Sequence, residues 1–169
     1  MGSLGYKVQN ELSHKHVYGP EYVAERLVVT GLVHNPLMLS VPDLKMMHDV
    51  EIKELTMFTG SKQTKKVIGS YRGVLLKDIL ELADIVIADY HAPNRIYLKL
   101  HSNDGYASVV SWHEVTNSII GEKAIVAYER DGKPLDENEG NFVFVSGNDF
   151  RPGPRRMRYL KEVVVCEID

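Results

Sequence analysis

The sequence predicts one α+β domain built on a mixed β-sheet. Three observations indicate this class: runs rich in β-branched residues recur, Gly, Pro and Asp-Gly signals separate them, and one clear amphipathic helix is inserted among them. Helices and strands do not alternate, which disfavours a doubly wound parallel sheet. A chain of 169 residues suits a single domain. We therefore expect an irregular N-terminal segment over residues 1–25 and one domain over residues 26–169.

The composition is that of an ordinary globular protein. Apolar residues make up 44% and charged residues 25% of the chain, and the formal net charge is −3. This charge argues against nucleic-acid binding, which usually requires a basic domain. No apolar run approaches the roughly 20 residues that span a bilayer, and no signal-peptide pattern opens the chain. We expect a soluble protein, with its compartment left open. The single cysteine, Cys166, excludes an internal disulfide and a multi-cysteine metal site.

The strands are predicted from runs of β-branched and alternating apolar residues. Arg26–Val33 is the first such run, and a turn at Asn35-Pro36 follows it. Ser102–Tyr106 contains Asp-Gly between two alternating runs, which is a strong hairpin signal. A second turn is predicted at Asp131–Leu135. The predicted strands lie near residues 26–33, 50–58, 65–71, 95–100, 106–111, 124–129, 142–146 and 160–168.

The main helix is predicted at Leu75–Ala83. Its apolar residues recur at the spacing of one helical face, with charged residues on the other side. A shorter helix is predicted within Leu39–Met47, because Ser40 is a suitable N-cap and Pro42 suits the first turn. Trp112–Asn117 is expected to form one helical turn.

A cluster of three arginines follows a Pro-Gly-Pro turn near residue 155. Arg155, Arg156 and Arg158 lie within four residues, and the strand pattern Val163–Val165 comes soon after. If the strand begins at Arg158, alternation places Arg156 and Arg158 on one side and Met157 on the other, toward the core. Guanidinium groups bind phosphate bidentately and stay charged at physiological pH. The cluster therefore predicts an anion site, and the alternative is a solvated basic turn.

Several longer stretches occur in a recognisable order. They are Arg26–Leu44, Tyr71–Ala83, Ser102–Tyr106, Ala127–Leu135 and Arg155–Lys161. Together they resemble the molybdopterin-binding domain of the sulfite oxidase family of oxidoreductases. The resemblance implies an α+β domain that holds a molybdenum pyranopterin cofactor in a cleft.

Two stretches depart from that family's pattern. Leu55–Gly60 corresponds to the loop whose cysteine ligates molybdenum, but Phe58 stands at the cysteine position. Phenylalanine has no lone pair to give a metal, so we expect no thiolate-bound molybdenum. Gly140–Phe144 corresponds to a Gly-x-Pro-x-Arg strand, with Phe142 and Phe144 in place of the proline and the arginine. Whether the chain is an enzyme therefore stays open.

The resemblance also implies binding roles. The basic residue that holds the phosphate end of the pterin corresponds to Arg158, and the adjacent aromatic position to Tyr159. Asp104 and Tyr106 match the family's Asp-Gly-Tyr, with the alternative that they only form the turn and pack. The candidate cofactor-binding residues are Arg155, Arg156, Arg158, Tyr106, Asp104, His101, Ser61 and Lys62. His101 has the alternative role of an ordinary strand histidine, and Ser61 and Lys62 lie in the loop after Gly60.

Three functional hypotheses follow. The first is a domain that binds a pterin or molybdopterin-type anion without thiolate-bound molybdenum and that works through a protein partner. The second is a working molybdenum oxidoreductase with an unusual ligand, such as an oxygen of Thr59 or Ser61. The third is an interaction domain whose cleft is empty. Phe58 and Phe144 disfavour the second, and the arginine cluster distinguishes the first from the third.

Overall fold

The structure is a computed structural model that describes residues 18–59 and 64–169. It contains two β-sheets and three short α-helices in this part of the chain. The strands are β1 (Leu27–Gly31), β2 (Leu37–Leu39), β3 (Asp49–Thr59), β4 (Thr64–Leu75), β5 (Ile96–Ser102), β6 (Ala107–Ser111), β7 (Ala124–Arg130), β8 (Lys133–Pro134), β9 (Val143–Ser146) and β10 (Leu160–Glu167). The helices are α1 (Val41–Lys45), α2 (Leu76–Ala83) and α3 (Trp112–Thr116). The α+β class is therefore confirmed.

The first sheet has the strand order β2-β1-β10-β5-β6 and is mixed. Its one parallel pair joins β1 to β10, with Val29 opposite Val163, and the other pairs are antiparallel. The second sheet is antiparallel, with the order β3-β4-β7-β8, and β9 also pairs with β7. The sequence predicted one mixed sheet. The structure has that mixed sheet and a second, antiparallel one.

The main core lies between the two sheets. It combines Val29 and Val163 from the first sheet with Val126 and Phe144 from the second, and the apolar face of α2 packs against it. A smaller apolar cluster, which includes Tyr71, covers the opposite face of the second sheet. Because β7 is buried on both faces, its residues are apolar in sequence rather than alternating.

All eight predicted strands are present, with bounds shifted by a few residues. The helix predicted within Leu39–Met47 is shorter, because Leu37–Leu39 instead pairs with β1 as strand β2. Ser40 does cap the helix, and its hydroxyl accepts from the Asp43 N–H while the Asp43 carboxylate accepts from the Ser40 N–H. Strands β2 and β8 were not predicted, since runs of two or three residues give too little periodic signal.

The N-terminal segment is described from Tyr18 onward. It contains a short 3₁₀ turn at Pro20–Tyr22 and lies against the domain. Side-chain amides hold it there: Asn103 donates to the Tyr22 carbonyl at 2.8 Å, and Asn141 to the Ala24 carbonyl at 3.0 Å. In the described part of the chain, no helix has both the length and the apolar character needed to cross a bilayer.

Candidate functional site

A cavity of about 290 Å³ brings several of the predicted site residues together. It lies where the β5–β6 hairpin turn meets the arginine loop and the end of β3. Its lining residues are Met57, Asp104, Tyr106, Gly153, Pro154, Arg156 and Arg158. The volume lies just below the range for small-molecule sites, roughly 300–1,000 Å³. Wider grooves of about 470 and 450 Å³ occur elsewhere, but each has only one basic residue in its lining.

The arginine loop is fixed to the core through Met157. A 3₁₀ turn at Gly153–Arg155 leads into Met157, which is buried and exchanges two backbone hydrogen bonds with Phe144, at 2.9 and 3.0 Å. Because Met157 points into the core, Arg156 and Arg158 project to the other side. The alternation expected around Met157 is therefore present, although it comes from this isolated bridge and β10 begins only at Leu160.

Arg156 is anchored from behind by two buried groups. Its Nη1 donates to the Tyr71 hydroxyl at 3.0 Å and to Glu139 Oε1 at 2.8 Å. The Tyr71 hydroxyl in turn donates to the same Glu139 oxygen at 2.5 Å. Burial, partly offset by the Arg156 charge, raises the pKa of Tyr71 to about 12, so the phenol remains a donor at neutral pH.

Arg158 has a different environment. Its Nη1 donates to the Asn138 carbonyl at 3.1 Å, and its guanidinium lies 5.9 Å from the centre of the Tyr159 ring. Among residues 18–59 and 64–169 it forms no ion pair with a carboxylate. Its charge is therefore available to an anion at the cavity.

Arg155 lies outside this cavity, because it is engaged elsewhere. Its Nε and Nη2 donate to both oxygens of Asp149, at 2.7 and 2.5 Å, and its Nη1 donates to Glu114 at 2.7 Å. Burial acts to raise the pKa of Glu114, but hydrogen bonds from Ser111 and Arg155 outweigh it and leave that pKa below its usual value. These contacts suit a structural role better than the expected ligand contact.

Asp104 and Tyr106 shape the hairpin side of the cavity. The Tyr106 N–H donates to Asp104 Oδ1 at 3.1 Å, which is the turn-forming contact. The Tyr106 hydroxyl donates to the Pro154 carbonyl and so joins the hairpin to the arginine loop. Both residues thus form the turn and also line the cavity.

The other predicted residues are not among those that line the cavity. His101 is half-buried in β5, on the face that also carries Lys99, whereas Leu100 and Ser102 face inward. Within the described part of the chain, no hydrogen bond joins it to the three arginines. Ser61 and Lys62 lie outside the described residues, as does the loop in which they were predicted.

The end of β3 places Met57 and Phe58 on opposite faces, as strand geometry requires. Met57 lines the cavity, whereas the Phe58 ring lies near two cations: Arg151 is 5.3 Å and Lys65 Nζ 5.9 Å from its centre. The position expected to carry a metal-ligating cysteine therefore holds an aromatic ring used for cation–π contacts. Across the described ranges, no group of three or more His, Cys, Asp or Glu residues is arranged to hold a metal ion.

Sequence reasoning missed Tyr71, Glu139 and Met57. Glu139 belongs to a polar run, Asp136–Glu139, that is typical of a solvated turn, yet it is only 3% exposed. Tyr71 was assigned to a predicted strand and to the stretch Tyr71–Ala83, but not to the site. Neither had a local signal, because their partners lie 17 to 85 residues away along the chain.

The fold and the cavity define an α+β domain with a small cleft that carries two arginines. Residues 16–143 match the family model described as the oxidoreductase molybdopterin binding domain, and the chain belongs to that family. The family binds molybdopterin, which confirms the resemblance found in the sequence. The matched residues end before the arginine loop.

The solved structures similar to this chain include the sulfane dehydrogenase SoxCD from Paracoccus pantotrophus, with a TM-score of 0.61 and 16% sequence identity. The similarity covers 83% of this chain but only 37% of that one, so the present chain corresponds to little more than a third of that protein's length. At this identity, the likeness concerns the fold alone. No curated protein matches the chain.

Proposed function

We propose that this domain binds a pterin or molybdopterin-type ligand through its phosphate group and does so without thiolate-bound molybdenum. The observation that carries the proposal is the placement of Arg156 and Arg158 in one cavity, with no carboxylate paired to Arg158 in the described chain. Family membership supplies the ligand class. Arg158 is the proposed centre of the anion site.

The energetics favour a phosphate at this position. A hydrogen bond to a charged group contributes about 1.5–3 kcal/mol net. The loop that presents the arginines is restricted by Pro152 and Pro154 and by the Tyr106 contact, so little conformational entropy is lost when an anion is bound. The cavity volume suits a single pterin phosphate better than a larger dinucleotide form.

The residues near Phe58 do not fit a protein-ligated molybdenum. A phenylalanine has no donor atom, and its ring is covered by Arg151. Phe144 corresponds to the family's arginine and is fully buried in the core, away from the cavity lining. We therefore derive no oxygen-transfer step for this chain, and the proposed role is ligand binding, in concert with a protein partner.

Calorimetric titration with hydroxymethylpterin monophosphate tests the proposal, with the same pterin lacking phosphate as the control ligand. Arg158→Ala should weaken binding of the phosphate ester by about ten- to a hundred-fold and leave the weaker binding of the free pterin unchanged. Arg158→Lys should recover only part of the loss, because the bidentate fork is absent. If the unmodified protein binds neither ligand, the cleft is not a pterin site and the interaction-domain hypothesis replaces it.

A further inference from the structure

The Arg156 guanidinium donates hydrogen bonds to described residues through Nη1 only. Its Nη1 donates to two partners within the protein, the Tyr71 hydroxyl and Glu139 Oε1. Its Nε and Nη2 have no hydrogen-bond partner among the residues that the structure describes. In a guanidinium these two nitrogens form the edge that binds two oxygens of one anion side by side.

We propose that Glu139 and Tyr71 are positioning residues that turn the Nε–Nη2 edge of Arg156 toward the cavity, where it forms a bidentate seat for a tetrahedral oxyanion. This inference rests on the proposed function, since it specifies how the ligand's phosphate is held. Arg156 supplies the oriented fork, and Arg158 supplies a second cation at the same cavity.

The geometry explains why a buried carboxylate does not cancel the site. Glu139 is shared by two guanidinium groups, Arg156 at 2.8 Å and Arg130 at 3.5 Å. Glu139 is therefore not paired with Arg156 alone. Arg130 also lies 3.8 Å from the exposed carboxylate of Asp131, and Arg158 adds a further positive charge at the cavity. The carboxylate is 3% exposed, so its bonds to the two arginines and to Tyr71 are not weakened by water.

Tyr71 completes the support of the carboxylate and the cation. Its hydroxyl donates to Glu139 and accepts from Arg156, so it fixes both at once. The ring is fully buried, and the Arg130 guanidinium lies 5.6 Å from its centre. Because burial raises the pKa of this phenol to about 12, the hydroxyl keeps the proton that it donates to Glu139 throughout the neutral range.

The turn that carries Glu139 also holds the rest of the arginine loop. The Glu139 carbonyl accepts from the Tyr159 N–H at 2.8 Å, and the neighbouring Asn138 carbonyl accepts from Arg158 at 3.1 Å. A single short segment therefore fixes the side chain of Arg156, the side chain of Arg158 and the backbone just beyond them. Because one turn supports both side chains, it fixes the position of the Arg156 guanidinium relative to that of Arg158.

The test is a double-mutant cycle on the full chain, with hydroxymethylpterin monophosphate and inorganic phosphate as probes. Glu139→Gln keeps an acceptor oxygen but removes the charge, and it should weaken binding of both probes about ten-fold. Glu137→Gln is the matched control, since Glu137 is an exposed acidic residue of the same turn. In an Arg156→Ala background, Glu139→Gln should cause no further loss, because there is no guanidinium left to orient.

A second variant and a spectroscopic measurement separate positioning from a general effect on the fold. Tyr71→Phe should weaken phosphate binding several-fold while the Glu137→Gln control does not. The side-chain Nε–H signal of Arg156 in ¹⁵N NMR should be sharp in the unmodified protein and broadened in both Glu139→Gln and Tyr71→Phe. A purely structural role would leave that signal sharp in any variant that still folds.

The outcomes distinguish this inference from the function on which it rests. If Arg158→Ala weakens binding but Glu139→Gln and Tyr71→Phe do not, the positioning role is refuted and the anion site stands. If the pterin phosphate does not bind but inorganic phosphate does, the pterin function fails and the cycle is completed with phosphate. A loss caused by Glu139→Gln that persists in the Arg156→Ala background would also overturn the positioning role.

Discussion

Replacing Arg155 with methionine should lower the free energy of unfolding by about 2–4 kcal/mol. Methionine keeps most of the apolar stem and removes the charge, so the change isolates the ion pairs with Asp149 and Glu114. Removing one partner of a buried pair costs roughly 3–5 kcal/mol, because the other charge is left unpaired. That range applies to Asp149, whose side chain is 12% exposed, but less to Glu114, which is 36% exposed. We therefore expect the lower range, about 2–4 kcal/mol, for Arg155→Met.

Thermal and urea unfolding of Arg155→Met and Arg158→Met measure this difference. For a chain of this size, 2–4 kcal/mol corresponds to a decrease in Tm of roughly 5–15 °C. Arg158→Met should change stability by less than about 1 kcal/mol, since it loses only an exposed hydrogen bond to a carbonyl. Ligand binding should show the opposite order, with the larger loss in Arg158→Met. If Arg155→Met is as stable as the parent and loses phosphate binding, the assignment of Arg155 to the fold is wrong.

The pH dependence of the stability lost in Arg155→Met gives an independent check on the ion pair between Arg155 and Glu114. The pKa of Glu114 is lower in the folded state than in the unfolded chain, so its contribution is present above the unfolded value of about 4.3 and is lost as pH falls through the folded pKa. The stability difference between the parent and Arg155→Met should therefore shrink in acid. A difference that stays constant as pH falls below 4 would show that Glu114 does not carry the effect.

Three further predictions concern other parts of the molecule. The pKa of Tyr71 is raised from 10.0 to about 12 in the folded state, so its contribution to the free energy of unfolding is complete below pH 10 and is lost as pH rises toward 12. The difference in that free energy between the parent and Tyr71→Phe should therefore narrow by about 2–3 kcal/mol over this interval. Unfolding measured at a series of alkaline pH values checks this. Protein purified from its native host should contain no molybdenum with protein-sulfur coordination, since Phe58 offers no thiolate, and a stoichiometric signal of that kind in X-ray absorption would contradict this. Ser40→Ala should destabilise the fold by about 1 kcal/mol, because the reciprocal cap with Asp43 is lost; a change below 0.3 kcal/mol in urea unfolding would show that the cap adds little.

The sequence was sufficient for the elements whose signals are local. The helix α2 carries its apolar face within one short stretch, and Leu76, Ile79 and Ala83 are all buried as its periodicity predicts. The β5–β6 hairpin was predicted from Asp104-Gly105, which needs no distant partner. The partition into two sheets was not predicted, because the parallel pairing of β1 with β10 joins residues more than 130 positions apart.

The sequence by itself predicted the candidate class of site: three arginines after a proline-rich turn, with Asp104 and Tyr106 as either cleft residues or turn-forming residues. Through the resemblance to the family, it also predicted that Phe58 offers molybdenum no thiolate, since the chemistry of one side chain requires no tertiary information. Only the tertiary structure decided the separate roles of the arginines. Arg155, Arg156 and Arg158 are chemically identical, and what distinguishes them is the position of the carboxylates. Glu114 comes from α3, Asp149 lies six residues before Arg155, and Glu139 lies 17 residues before Arg156. Two carboxylates take up the charge of Arg155, a shared one fixes Arg156, and none in the described chain pairs with Arg158.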